Sequence, residues 1–437
     1  MLSYKLVLDN TTTNYRPEVF YVFKYIERCY LVERVNSDHA DIIISYGASI
    51  DSYTDIYLPS KLIKRVLKID SNGVSLVDKR PVIDALKSCM ENNNGYITDS
   101  IGRKCFQEDL IALAFIFLSR VEERFSKSLD QHKRYKIDDD IVFRAGFYGS
   151  PVVDILIDKF IDIIFNGKAI KKVHYSVKLT HDIDRLRSYH SIWGSVRVVI
   201  GDIVKRMNPS LALARFRKEL NLLEPWSSMY KLINIYNKLG FNALFLLMGP
   251  SKHDMDSTYF LRMPKLLKRY TRILLDNGHE IGFHPGYDSY CDEFIYNKQK
   301  KDIEWLLKVL LTSVRQHVLR FDIEQTPLIS EKCGIENDYT LAYPELLGFR
   351  NGTSRGMHAF DFSNRKSMDL VLYPTSIVDF TLHEGKYNNL SMEEASKMAD
   401  CIITFCKKYD GTLVILYHTG YMINKYFAFY NRLLHSL

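Results

Sequence analysis

The chain has 437 residues, of which 46% are hydrophobic and 25% are charged, and these fractions are typical of a soluble globular protein with more than one domain. The net charge of +7 is small for this length, and no dense run of Lys and Arg with interleaved aromatic residues occurs, so nucleic-acid binding is not indicated. The seven cysteines are scattered and form no CxxC pair, which is typical of reduced thiols.

Membrane insertion and secretion are not indicated either. The longest apolar run, residues 111–118, is much shorter than the roughly 18 residues that a spanning helix needs. The first residues, MLSYKLVLDN, lack the basic-then-apolar pattern of a signal peptide. We therefore predict a cytoplasmic protein.

The first 171 residues divide into two predicted parts. Residues 1–92 mix short strands with helices and are predicted to form a small α/β domain, which ends at the turn cluster Asn-Asn-Asn-Gly. Residues 93–171 contain two predicted helices, at 107–125 and 150–165, and form a helical connecting segment. Neither part carries a motif to which we can attach chemistry.

From residue 172 to residue 437 strands alternate with helices. This alternation predicts parallel βα units on the scale of a (β/α) barrel, in which chemistry gathers at the carboxyl ends of the strands. The predicted strands are 175–180, 242–248, 280–284, 318–321, 370–373 and 412–417, and the predicted helices are 228–239, 263–277, 294–311 and 391–409. Polar residues follow four of these strands: Asp182 and Asp184, His284 and Asp288, Arg320 and Asp322, and His418.

The stretch Thr-His-Asp-Ile-Asp at the end of the first of these strands is the main candidate for a site. Side chains alternate along extended chain, so Asp182 and Asp184 project to one side while His181 and Ile183 project to the other. When two carboxylates lie this near to each other, either the pKa of one of them rises or a cation binds between them. The alternative is a polar strand end with solvated aspartates.

Three further stretches offer ligands or proton carriers. His284 and Asp288 lie four residues apart around a Pro-Gly turn, a spacing that a divalent metal accepts but that also occurs in structural turns. Arg315 and His317 would share one side of an extended segment, with Arg320 and Asp322 on the other. His418 ends an apolar strand, where a proton donor or a hydrogen-bonded structural histidine is expected.

These motifs, in this order, resemble the polysaccharide deacetylases (NodB homology, carbohydrate esterase family four). The resemblance covers about residues 174–420 and rests on THDID, GHEIGFH, an Arg-bearing strand and a late strand that ends in His. ALAFIFLSRVEE, GFYGSPVVD, RQHVLRFD and GIENDYTLAYPELLGFRNGT are similar to a bacterial branch that has an extra N-terminal domain and occurs with surface-polysaccharide synthesis. The resemblance implies an α/β fold, a distorted (β/α) barrel of the NodB type preceded by a smaller α/β N-terminal domain.

The resemblance also implies a metal site. It assigns Asp184 and His284 as ligands of a divalent ion, with zinc as the first choice. The family's second histidine falls at Asp288, which either substitutes as an oxygen ligand or leaves the place to His317. Asp182 corresponds to the general base, although Ile183 separates two aspartates that are adjacent in the family, so that the two roles can be exchanged.

The remaining implied residues serve proton transfer and substrate binding. His418 matches the histidine that protonates the leaving amine, and the arginine paired with the base is either Arg315 or Arg320. We further predict substrate contacts from Tyr287 and Arg350.

The sequence thus predicts a metal-dependent hydrolase that removes an acetyl group from an N-acetylated sugar of a surface polysaccharide or its nucleotide- or lipid-linked precursor. The alternatives are a catalytically inactive carbohydrate-binding barrel and a metal-dependent hydrolase of another ester or glycosidic bond. The basic segment at residues 197–219 is predicted to form helices, with a solvated face or a peripheral contact with an anionic membrane as its two interpretations.

Overall fold

The computed structural model describes residues 1–37, 39–49, 53–91, 95–186, 227–383, 390–418 and 424–437. The basic segment at 197–219 lies outside these residues. The chain divides into two compact units, and the first comprises Met1–Val177 and Val318–Ile415. The second comprises Lys178–His317 and Leu416–Leu437. The predicted domain boundaries at residues 92 and 171 remain predictions.

The N-terminal part of the first unit is an α/β domain. Its strands are β1 (Leu2–Leu8), β2 (Val32–Arg34), β3 (Ile42–Gly47), β4 (Ile56–Pro59), β5 (Leu67–Asp70), β6 (Gly73–Leu76), β7 (Tyr96–Thr98) and β8 (Lys104–Phe106). Its helices are α1 (Arg16–Cys29), α2 (Lys61–Val66), α3 (Arg80–Glu91), α4 (Leu110–Ser119), α5 (Ile141–Arg144) and α6 (Val152–Phe165). Six strands form one sheet in the order β2-β1-β3-β4-β8-β7, which is parallel except for β7, and β5 and β6 form an antiparallel hairpin.

Helix α4 lies in the core of this unit, and each of its ten residues is buried. The side chain of Asp109 caps it by accepting a hydrogen bond from the Ala112 amide at 2.9 Å. The predicted helix at 107–125 extends beyond the observed C-terminal end of α4. Arg120 adopts a left-handed conformation with φ of 58°, which ends α4 and turns the following acidic residues into the interior.

A buried group of charged side chains follows α4, and we call it the Arg120 cluster: Arg120, Glu122, Glu123, Asp140 and Arg350. Arg350 donates to Glu123 at 2.6 Å and so ties the second segment of this unit to the first. Asp154 on α6 makes a similar link by accepting hydrogen bonds from the amide and the hydroxyl of Ser354 at 2.7 and 2.6 Å. The two segments of the first unit therefore share buried polar contacts.

The described residues of the longer segment of the second unit, Lys178–His317, form the next strands and helices of the chain. In chain order these elements are β9 (Ser176–Ile183), α7 (Ser227–Leu239), β10 (Ala243–Met248), α8 (Tyr259–Arg262), α9 (Pro264–Asp276), β11 (Glu280–His284), α10 (Glu293–Leu307) and β12 (Ser313–Val314). The strands pair in parallel, with Leu246 beside Asp182, Met248 beside His284 and Phe283 beside Val314. Their carboxyl ends therefore lie at one edge of the sheet.

The remaining elements follow in chain order. They are α11 (Gln325–Lys332), β13 (Asn337–Asp338), β14 (Met357–Asp361), β15 (Lys366–Leu372), β16 (Thr375–Val378), α12 (Asp379–His383), α13 (Met392–Lys408), β17 (Thr412–Leu416) and α14 (Asn424–Ser436). β15 pairs in parallel with β13 and antiparallel with β14. Helix α13 begins at a capping box, in which Ser391 and Glu394 bond to each other's backbone amides.

The predicted fold class is confirmed: the C-terminal region is a curled, largely parallel α/β half-barrel of nine strands, preceded by an N-terminal α/β sheet domain. The predicted strand at residues 318–321 is wrong. The chain instead forms a short 3-10 helix at His317–Leu319, where Val318 and Leu319 have φ of 59° and 57°. Residues with side chains rarely adopt this left-handed conformation, so no extended alternation continues from Arg315 to Asp322. No helix among the described residues is long and apolar enough to cross a bilayer.

Candidate metal centre and active site

The end of β9 separates its side chains onto two faces. His181 points into the core, where its Nδ1 bonds to the Tyr417 carbonyl at 2.5 Å and its Nε2 to the Tyr236 hydroxyl at 2.6 Å. Burial lowers the pKa of His181 to about 3, so this ring is neutral and structural. Asp182 and Asp184 lie on the opposite face, next to the other polar side chains of this edge.

Asp182 is a buried carboxylate held by an arginine. Its Oδ1 accepts a hydrogen bond from Nη1 of Arg315 at 2.9 Å, and the two side chains are 4% and 0% exposed. Burial acts to raise the pKa of Asp182, but the charges of Arg315, His284 and His418 outweigh it and hold this pKa below its ordinary value. Asp182 is therefore ionised, with one oxygen occupied by Arg315.

His284, the last residue of β11, presents one ring nitrogen to the carboxylates. Its Nδ1 donates to the carbonyl of Arg315 at 2.7 Å, which leaves the lone pair on Nε2. Nε2 lies 3.4 Å from Oδ1 of Asp184 and 3.9 Å from Oδ2 of Asp182. Both this Nε2 and Oδ1 of Asp184 are buried without a hydrogen-bond partner.

His317 is oriented in the same manner by a different group. Its Nδ1 donates to Oδ1 of Asp256 at 2.6 Å, and its ring centroid lies 5.1 Å from that of His284. Asp256 is itself fixed, because it accepts hydrogen bonds from the Ser251 hydroxyl at 2.6 Å and from the Tyr287 amide at 2.9 Å. A carboxylate on one imidazole nitrogen is the usual way to direct the other nitrogen at a metal.

Asp184, His284 and His317 form a three-ligand group whose ligand atoms all lie within 4.8 Å of one another. Two imidazoles and one carboxylate are a donor set that zinc and similar divalent ions accept. Burial acts to lower the pKa of His284, but Asp182 and Asp184 outweigh it and raise this pKa. The carboxylates therefore favour a positive charge at this position, and the residues fit a divalent ion.

His418 lies at the partly exposed side of the same carboxylates. Its Nε2 is 3.9 Å from Oδ2 of Asp182 and 3.8 Å from Oδ2 of Asp184, and its side chain is 19% exposed. His418 is not a member of the three-ligand group among the described residues. Its contact with solvent and with both aspartates suits a proton carrier better than a structural role.

The structure separates the two candidates for the third ligand. Asp288 is exposed and lies outside the three-ligand group, whereas His317 belongs to it. Tyr287, the predicted substrate contact, is partly buried, and its ring stacks on that of His253 with centroids 4.5 Å apart. The pair belongs to the same loops as Asp256 and His284.

Two predicted site residues belong to the first unit and have partners there. Arg320 is buried and its Nε donates to the carbonyl of His132 at 3.0 Å, so Arg315 is the arginine that pairs with Asp182. Arg350 is 2% exposed and lies in the Arg120 cluster, where the carboxylate of Glu123 accepts hydrogen bonds from both its Nε and its Nη2. Because burial and this ion pair occupy its guanidinium, the structure does not support substrate binding by Arg350.

Sequence analysis missed Asp256. It lies in the loop that follows β10, 61 positions before its partner His317. The available signal was its place after the carboxyl end of a buried parallel strand, since such loops carry site residues. No local spacing connects Asp256 to His317.

The chain was compared with known families, curated proteins and solved structures. Residues 8–167 match a family of unknown function (DUF7033). A comparison with curated proteins finds no match. Among solved structures, a Mycobacterium smegmatis protein named as a polysaccharide deacetylase is 16% identical, with a TM-score of 0.40, over 61% of this chain and 84% of that one.

Two other structures represent an esterase and a pseudoenzyme. A family 4 carbohydrate esterase from Streptomyces lividans is 12% identical, with a TM-score of 0.30, over 61% of this chain and 88% of that one. A CE4 family pseudoenzyme from Bacillus anthracis is 10% identical, with a TM-score of 0.30, over 60% of each chain. The chain is thus structurally similar to CE4 polysaccharide deacetylases over about 60% of its length, as its motifs indicated, and its N-terminal region matches a family without a known function.

Proposed function

We propose that this protein is a metal-dependent deacetylase that acts on an N-acetylated sugar of a surface polysaccharide or its precursor. The observation that carries the proposal is the combination of an arginine-held buried carboxylate with a separate three-ligand group. Asp182 is paired with Arg315 at 2.9 Å, while Asp184, His284 and His317 direct their ligand atoms at one common space. Hydrolysis of an amide requires both parts, a Lewis acid and a base for water.

Asp184, His284 and His317 would hold the ion. A divalent ion bound there supplies polarisation of the acyl carbonyl and a lowered pKa for water. Asp256 and the Arg315 carbonyl keep the Nε2 atoms of the two histidines available, because each occupies the Nδ1 of one ring.

Asp182 takes the proton of the attacking water. Arg315 occupies Oδ1 and keeps the carboxylate ionised, while Oδ2 faces His284 and His418 at 3.9 Å each. The free oxygen is therefore the one turned towards the shared space. This supports Asp182 rather than Asp184 as the base, although Ile183 stands between them.

His418 delivers a proton to the departing nitrogen. An amide nitrogen is a poor leaving group until it is protonated, so an acid on the other side of the carbonyl is required. The partly exposed ring of His418, 3.8 Å from Asp184, supports this role. The stacked Tyr287 and His253 rings support a sugar as substrate, because aromatic faces bury the CH groups of sugars.

An inactive carbohydrate-binding protein is the alternative, and the exposed Asp288 at the place of the family's second histidine favours it. His317, with its buried Asp256 partner, argues against it, since a protein without a metal has no need for this pair. The two hypotheses differ in acetate release. We would measure it from N-acetylated sugars in nucleotide-linked, lipid-linked and polymeric form, with and without added Zn²⁺ and a chelator. Release that depends on metal supports the proposal, whereas binding of these sugars without release on any of them contradicts it.

A further inference from the structure

Helix α10 exposes a stripe of aromatic and basic side chains. Phe294, Lys298, Lys301 and Trp305 are spaced by four, three and four residues and so lie on one face. Phe294 is 78% exposed and Trp305 is 71% exposed. Exposed aromatic side chains that lie together on one face of a folded protein are candidates for a contact surface.

Helix α9 exposes a second stripe. Lys265, Lys268, Arg272 and Leu275 have the same helical spacing, and all four are exposed. Residues 259–276 contain five basic residues and one acidic residue, Asp276. Lys265, Lys268 and Lys301 have no ion pair among the described residues, so their charge is available to a partner.

The two stripes face the same side of the second unit. β10, β11 and β12 are parallel, and α9 and α10 are the two connections between them. Connections of this kind are right-handed, so both helices pack on the same face of the sheet. Their buried residues, such as Leu267 on α9 and Ile303 on α10, face inward, and the exposed stripes face outward together.

We propose that this two-helix face, formed by the exposed stripes of α9 and α10, binds the surface of an anionic lipid bilayer. Basic side chains are attracted to anionic headgroups, and exposed aromatic residues enter the zone between headgroups and acyl chains. Trp305 has the amphipathic ring that this zone favours, and Lys308 lies over it at 5.1 Å. Lysines beside exposed aromatic side chains on the outside of two helices are the combination that favours the interface of an anionic bilayer.

The proposal is independent of the reaction. The two-helix face contains none of the residues of the candidate metal centre. Binding of lipid can therefore be measured whether or not the protein releases acetate. Loss of lipid binding and loss of acetate release are separate results.

Vesicle binding with a tryptophan readout tests the proposal. We would sediment the protein with vesicles of phosphatidylglycerol and phosphatidylcholine, and with vesicles of phosphatidylcholine alone. We expect binding only to the anionic vesicles, and a fall in binding as salt rises. Brominated lipid in the anionic vesicles should quench tryptophan emission, and Trp305→Phe should remove most of this quenching.

Matched variants locate the contact. Phe294→Ser combined with Trp305→Ser, and separately Lys268→Glu combined with Lys301→Glu, should each weaken vesicle binding on the order of tenfold or more. Ile101→Ser is the control, because Ile101 is 67% exposed in the first unit and belongs to neither stripe. Circular dichroism checks that each variant is folded.

Three results would overturn the proposal. The first is equal, negligible binding of the wild type to both kinds of vesicle. The second is quenching that survives Trp305→Phe, which would assign the contact to a part of the chain near one of the other two tryptophans, Trp193 or Trp226. The third is absence of vesicle binding together with binding of a DNA duplex that the charge-reversal variant loses, which would make the face a nucleic-acid site.

Discussion

The Arg120 cluster and the candidate metal centre are two buried groups of charged side chains that differ in their balance of charge. In the Arg120 cluster, Arg120 contacts Glu122, Glu123 and Asp140 at 2.9, 2.7 and 2.8 Å. Arg350 contacts Glu123 at 2.6 Å, and Lys79 approaches Glu122 at 3.9 Å. The three carboxylates of this cluster thus face two guanidinium groups, and Lys79 is shared between Glu122 and Asp139, from which it lies 2.8 Å away.

The candidate metal centre has the same number of carboxylates but fewer cations. Asp182, Asp184 and Asp256 are accompanied by one guanidinium, that of Arg315. If its histidines are neutral, three carboxylates and one guanidinium give this group a net charge of −2. One divalent ion would balance that charge. Burial of charge is therefore common to both groups, and the uncompensated charge beside buried ligand atoms is what separates the candidate metal centre from the Arg120 cluster.

The largest effect should come from removing a ligand in the unbalanced group. His284→Ala takes away an Nε2 that lies 3.4 Å from Asp184, so we expect loss of the bound metal and a fall of acetate release to background. Elemental analysis and an acetate assay measure the two. His279→Ala, at the other end of β11, is the control and should keep the metal. Full metal content in His284→Ala would remove His284 from the ligand set.

In the Arg120 cluster, removal of the central cation should lower stability and leave metal binding unchanged. Arg120→Ala leaves Glu122, Glu123 and Asp140 buried without their main cation, and we expect the free energy of unfolding of the first unit to fall by about 3–5 kcal/mol. Urea unfolding measures it. Arg144→Ala is the control, because Arg144 is 49% exposed and its ion pair with Asp139 spans 3.4 Å. A normal unfolding midpoint for Arg120→Ala would show that the cluster contributes little.

The proposed acid His418 and the proposed base Asp182 can be distinguished by comparing substrates with different leaving groups. His418→Ala should slow N-deacetylation by about a hundredfold or more, since an amide nitrogen must be protonated, but should leave hydrolysis of an aryl acetate close to wild type. Asp182→Asn should slow both reactions alike. Both variants should retain metal, because neither residue belongs to the three-ligand group. Equal losses on both substrates for His418→Ala would mean that His418 positions groups instead of donating a proton.

The smallest effect should come from the group that orients a ligand. Asp256→Asn keeps the shape but removes the charge that His317 faces at 2.6 Å, so we expect the metal to bind about 10 to 100 times more weakly. Competition with a metal-binding indicator at fixed pH measures the dissociation constant. Asp254→Asn, an exposed neighbour in the same loop, should leave it unchanged. Unchanged affinity in Asp256→Asn would show that Asp256 has no part in metal binding.

Local pattern predicted the parts of this protein that depend on neighbouring residues. The period of two along β9 indicated that Asp182 and Asp184 share a face, and β11 has the predicted bounds Glu280–His284. The capping box at Ser391 was visible in the sequence for the same reason, because both of its bonds join residues three positions apart.

Contacts between distant residues were not predictable in this way. The pairing of His317 with Asp256 joins residues 61 positions apart, and that of Arg350 with Glu123 joins residues 227 positions apart. The left-handed turn at Val318 and Leu319 opposed the strand that apolar residues, and the β-branched Val318 in particular, favour. Tertiary structure decided these three features, and they explain why the sequence left open the choice between Arg315 and Arg320 and that between Asp288 and His317. Substrate binding by Arg350 stays a prediction.

The discontinuous first unit sets an order of events during synthesis. Glu123 is made 227 residues before Arg350, and at about 5–20 residues per second the ribosome needs roughly 10 to 45 seconds to cover that interval. A similar time separates the synthesis of Asp154 from that of its partner Ser354, which lies 200 positions later. During this time Glu123 and Asp154 have their partners Arg120 and Tyr25, but they still lack the partners that Arg350 and Ser354 later provide. The final packing of the N-terminal segment is therefore completed only after the whole metal centre segment, Lys178–His317, has left the ribosome.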